Sequence, residues 1–150
     1  MTLRIACIRA TVGGLISLAC QTTQPLVPLN ASLVQTCAPW DGPAVALFLT
    51  EEPSAAAYPQ PPYSGITVYR SVPEALGHRF DVGPATQDIG NAQICPATGE
   101  CQPVRAASVT FRGLAADSTV ALTYRLELTS GRVVTGQARA RLHPRMEMCG

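Results

Sequence analysis

The sequence predicts an all-β domain: an antiparallel β-sandwich of about seven strands, with a small antiparallel β-barrel as the alternative. Three observations predict it. The stretch 117–142, DSTVALTYRLELTSGRVVTGQARARL, alternates apolar and polar residues in two arms, the period-two mark of strands with one buried face. Short apolar runs elsewhere are bounded by turns bearing Pro and Gly. No segment sustains a helical period; Pro73 to Gly77 has room for a single turn. Several strands separated by turn signals belong to sandwiches and small barrels.

The first arm places Val120, Leu122, Tyr124, Leu126 and Leu128 on one face, and the second places Val134, Gly136, Ala138, Ala140 and Leu142. A turn at Ser130 to Arg132 pairs Thr129 with Val133, Leu128 with Val134, Tyr124 with Ala138 and Leu122 with Ala140. A slip of one residue would set the apolar side of one arm beside the polar side of the other. A residue in the left-handed region beside a bulge is expected at such a turn. The small residues of the second arm leave room for a large side chain opposite, Tyr124 or Trp40.

The other strands are expected at 44–50 (AVALFLT, apolar on both sides and so covered on both faces), 66–72, 78–82, 92–95 and 102–114. In the last of these Val104 is out of phase with Ala107, Val109 and Phe111, which predicts a bulge near Ala106. Residues 51–64, EEPSAAAYPQPPYS, form a Pro-rich loop whose Tyr58 and Tyr63 are expected to pack down on the sheet.

Composition limits the function classes. Hydrophobic content of 47% with 14% charged residues describes a folded chain, and a formal charge of +1 points to no nucleic-acid partner. All 11 basic residues are Arg. With no Lys there is no P-loop lysine and no Schiff-base chemistry. His78 and His143 lack metal-ligand spacing, and neither a nucleophile elbow nor a phosphate-binding Gly loop occurs. The chain is therefore expected to be non-catalytic and without a cofactor.

Residues 1–19 read as a secretory signal. Arg4 and Arg9 make a basic start, Ala10 to Ala19 is a ten-residue apolar core too short to span a bilayer, and Ser17-Leu18-Ala19 precedes Cys20. This site resembles the lipobox of bacterial lipoproteins, with Ser17 and Leu18 in the reverse of that family's usual order. The resemblance implies cleavage before Cys20, lipidation of Cys20, and a membrane anchor at the bacterial cell envelope; plain secretion is the alternative. Residues 20–36 then read as a tether, and 37–150 as a single domain.

Removal of 1–19 takes Cys7 and leaves Cys20, Cys37, Cys95, Cys101 and Cys149. Lipidating Cys20 restores an even number. Cys95 and Cys101 flank one turn and are expected to pair, which leaves Cys37 with Cys149 across the domain. The outward side of the hairpin carries Arg125, Arg139 and Arg141, and Arg112 joins them if the preceding strand lies alongside. In the expected register Arg125 faces Gln137, Thr123 faces Arg139 and Glu127 faces Thr135. Four guanidiniums on one face would suit an anionic envelope component. Two functions follow as expectations: a structural or interaction module with an unknown envelope partner, or a carrier for a small or anionic ligand.

Overall fold

The computed structural model describes residues 30–143 and 149. The predicted signal peptide, Cys20 and the first part of the predicted tether lie outside the described residues. Nine strands are described: β1 Asn30–Cys37, β2 Pro43–Thr50, β3 Tyr63–Val68, β4 Arg79–Val82, β5 Gly90–Cys95, β6 Gln102–Pro103, β7 Ala106–Leu114, β8 Thr119–Glu127 and β9 Val133–His143, with one short helix, α1 Val72–Ala75. They form one curled sheet in the order β4-β7-β8-β9-β1-β2-β3-β5-β6. Every neighbouring pair is antiparallel except β1 and β9, which run parallel.

The all-β expectation is met, with more strands than expected and one sheet in place of two. The added strands are β1 and β6. Residues 30–36, read from the sequence as the end of a tether, are most of β1, and Leu33 and Val34 in it are fully buried. Asn30, Ser32, Gln35 and Thr36 gave the segment a polar look, yet it is held on both edges, by β2 and by β9. The expected single strand over 102–114 is broken at Val104 and Arg105. There the chain steps between the two halves of the sheet. The Val104 N–H donates to Ala92 O (3.1 Å) on β5, and the Arg105 N–H donates to Glu127 O (2.8 Å) on β8. Val104 is therefore out of phase because of this step. The bulge predicted near Ala106 lies instead at Arg112, between Phe111 and Gly113.

Curling brings both halves onto one core. Leu33, Leu47, Leu49, Ile66, Phe111 and Leu122 are fully buried in a single cluster, each contributing roughly 1.5–3 kcal/mol. Strand β2 is buried on both faces, as its unbroken apolar run predicts: Val45, Leu47 and Leu49 face this cluster, and Ala44 and Ala46 lie on the other side. Helix α1 supplies Val72 and Ala75 to the cluster. The Glu74 carboxylate at its start accepts the Ser71 N–H (2.9 Å) and hydroxyl (2.6 Å), a capping arrangement.

The β8–β9 hairpin keeps the expected faces in a different register. Leu122 pairs with Ala138, Tyr124 with Gly136 and Leu126 with Val134, a shift of two residues from the expectation, which preserves which side each residue faces. The turn is Thr129 to Gly131, closed by Leu128 N–H to Arg132 O (2.8 Å) and Gly131 N–H to Leu128 O (2.9 Å). Gly131 has φ +83°. The last loop position requires this left-handed backbone, which a turn at 130–132 would have forced on Arg132. The expected left-handed residue is thus present, one position earlier in the chain.

Candidate functional site

Alternation along β1, β2, β3 and β5 decides what the sheet shows on the side away from the core. On β3, Ile66 and Val68 point inward, so Gly65, Thr67 and, just past the strand, Tyr69 share the outer side with Tyr63. Two cross-strand rows follow from the register: Phe48–Gly65–Gln93 and Ala46–Thr67–Asn91. Small residues in the middle and aromatic rings at the ends make a trough of about 330 Å3, lined among others by Phe48, Tyr58, Tyr63, Thr67, Tyr69 and Gln93.

The aromatic ends are built by edge-to-face contacts. Phe48 meets Tyr63 at 5.3 Å and Tyr58 at 5.7 Å between ring centroids. Tyr58 and Tyr63 therefore pack on the sheet, as expected for this loop. At the other end Trp40 stands against Tyr69 at 4.8 Å, and Asn91 Nδ2 donates to the Tyr69 hydroxyl at 3.0 Å. Trp40 is nonetheless 56% exposed. It borders a second, larger depression of about 770 Å3, which shares Pro39, Tyr69 and Asn91 with the trough. Trp40 does not sit over the small residues of β9; Tyr124 does that.

The trough was hidden in the sequence because a strand starting at Ile66 leaves Tyr63 out of phase counting. Read from Tyr63, the string YSGITVY alternates aromatic, Gly, Thr, aromatic on one face. That was the available signal.

The four predicted arginines are divided by the structure. Arg125 forms an ion pair with Glu127 (3.2 Å), which also meets Arg105 (3.4 Å). Its strand neighbours are Ser108 and Thr135 instead of the expected Gln137. Arg139 lies opposite Ala121, and Arg141 opposite Thr119, so Arg139 is about 13 Å further along the sheet than Arg125. Arg112, at the bulge, sits on the other side of Ala121. Arg112, Arg139 and Arg141 are exposed at one end of the sheet, without an ion-pair partner among the described residues. Asp117 is in the turn beside them. Its carboxyl is held below the ordinary carboxylate range, first by the Thr119 hydroxyl and backbone N–H and to a lesser degree by the charge of Arg139.

Both predicted disulfides are formed, Cys37–Cys149 with Cα atoms 5.5 Å apart and Cys95–Cys101 at 4.1 Å. Bonds of this kind fit an oxidising compartment outside the cytoplasm. Among the described residues no group of three or more His, Cys, Asp or Glu is placed to hold a metal ion, and no helix is long and apolar enough to cross a membrane. No family model, curated protein or solved structure matches the chain.

Proposed function

We propose that the protein is a non-catalytic, exported β-module of the bacterial cell envelope, anchored by a lipid on Cys20 and working through contacts made by its outer surface. One observation carries the reading. The two disulfides use Cys37, Cys95, Cys101 and Cys149, so Cys20 is the one cysteine after position 19 that these two bonds do not use. It follows a basic start and a short apolar core.

In this reading the curled sheet works as a sandwich whose two halves face each other across one core. The cluster shared by β2, β3, β7 and β8 supports it. This single buried cluster also favours an interaction module over a carrier, because the depressions described, of several hundred Å3, open on the surface. An anion-binding reading keeps one support: Arg139 and Arg141 point outward beside Arg112.

Fractionation with mass spectrometry tests the anchor. The wild type is expected in the membrane fraction with a lipid mass on Cys20, and Cys20→Ser in the soluble fraction. A fully soluble wild type with residues 1–19 removed overturns it.

A further inference from the structure

We infer that the trough across β2, β3 and β5, together with the depression at Trp40, is a binding site for an uncharged saccharide chain. The inference rests on the interaction-module reading above and gives that module a ligand class. It starts from shape. Gly65, Ala46 and Thr67 are the small residues between the aromatic ends, with the Tyr63 and Phe48 rings against Gly65 at one end and Trp40 on Tyr69 at the other. Tyr63 and Tyr69 are six residues apart on one side of an extended segment, so their Cα atoms are about 20 Å apart. That suits an elongated ligand lying along the strand, with a unit against each aromatic end.

Chemistry narrows the class. A sugar ring offers a face of C–H groups, which packs on an aromatic side chain, and a rim of hydroxyls, which both donate and accept hydrogen bonds. The trough supplies both partners. Trp40 is more than half exposed. Asn91 and Gln93 stand along one side, and each amide carries donors and an acceptor. The Asn91 Nδ2 is engaged by the Tyr69 hydroxyl, which fixes the side chain and leaves its carbonyl oxygen to accept.

Charge decides between a neutral and an anionic chain. Among the described residues lining the two adjoining depressions, Asp88 alone is charged. Among the described residues no guanidinium lines the trough, whereas Arg112, Arg139 and Arg141 belong to β7 and β9 in the other half of the sheet. An anionic ligand would find its partners there; a neutral polyol finds them in the trough.

The sequence contains one Trp, so tryptophan emission reports this site alone. The purified full chain is titrated with cellohexaose, chitohexaose and maltohexaose, following Trp40 emission with calorimetry in parallel. At least one is expected to shift the emission, with a Kd unchanged between about 50 and about 500 mM salt because no charge pair is made. A Cβ at Gly65 would make contacts no closer than 3.6 Å, to Tyr63, so Gly65→Leu fills the floor without a backbone collision. That variant and Gln93→Ala are each expected to weaken binding about tenfold or more, a loss of about 1.4 kcal/mol. The inference is overturned if none of the three sugars gives an emission change or heat, if the affinity falls steeply with salt, or if Gly65→Leu and Gln93→Ala bind like wild type. A proline-rich peptide that shifts Trp40 emission where the sugars do not also overturns it. The anchor is judged separately by fractionation. A soluble wild type that binds a hexasaccharide overturns the anchor and leaves the trough standing, and a membrane-held protein blind to all three does the reverse.

Discussion

The ring of Tyr124 on β8 lies across Gly136 on β9, so closely that a Cβ added to Gly136 would collide with the Tyr124 hydroxyl and come within 2.9 Å of its Cε1. The pair joins the hairpin's widest inward side chain to a position with none. Gly136→Val is expected to destabilise the protein by about 1–3 kcal/mol through overpacking, read as a lower denaturant midpoint at unchanged slope. Combining it with Tyr124→Leu should recover part of the loss, since each change then relieves the other. Equal midpoints for wild type and Gly136→Val would contradict the contact.

Leu47→Ala on β2 should cost about 2–5 kcal/mol, because the side chain is fully buried in the core and its removal leaves a cavity. Leu114→Ala at the end of β7, where the side chain is 48% exposed, should stay within about 0.5 kcal/mol. Chemical denaturation of the two variants side by side checks the assignment of inside and outside.

The two disulfides differ in the length of chain they close, with sequence separations of 112 and 6 residues. In the chain-entropy account the long loop contributes about 5 kcal/mol and the short one about 2 kcal/mol. Replacing Cys37 and Cys149 together by Ser should therefore lower the thermal midpoint much further than replacing Cys95 and Cys101 together. Calorimetry that ranks the two double variants the other way round refutes this.

Two exposed carboxyls are held below their ordinary range: Asp117 by the Thr119 hydroxyl and N–H, and Glu74 by the Ser71 hydroxyl and N–H. A depressed folded pKa adds stability that is complete above the unfolded value and disappears as pH falls through the folded one. The thermal midpoint should thus decline on acidification from the ordinary carboxylate range downward, and Asp117→Asn with Glu74→Gln should flatten that decline. Tyr124 behaves in the opposite sense. Burial raises its pKa, so its contribution is complete below the ordinary Tyr range and is lost as pH rises through the folded value. Tyr124→Phe should flatten the alkaline limb.

The sequence made faces legible and left pairings obscure. Period-two alternation placed Tyr124, Leu126, Ala138 and Ala140 inward and Arg139 and Arg141 outward, because alternation is a local property of the chain. The register needed the turn, and the turn was decided by Gly131 taking φ +83°, a backbone demand that side-chain pattern alone did not rank. Strand β1 escaped notice for a related reason: its apolar core is just Leu33 and Val34, and it is held by neighbours far away in sequence. The Cys37–Cys149 pairing could be reached by elimination. The trough could not, since its rows join residues from β2, β3 and β5, and the signal along β3 begins three residues before the apolar run that announces the strand.

Strand β1 and strand β9 are neighbours at the middle of the sheet, where Ala31 to Val34 run alongside Ala140 to His143. The oldest and youngest strands of the domain therefore meet along its central seam. While the chain is being made, the group β1, β2, β3, β5 and β6 and the group β4, β7 and β8 each have an unfilled edge facing the place that β9 will occupy, and the sheet becomes continuous when the last strand arrives. Such long-range pairing slows folding and leaves sheet edges exposed in the interval. A domain wired this way tolerates no stepwise assembly from its start: a chain cut short before Val133 keeps most of its residues and still lacks the strand that joins its halves.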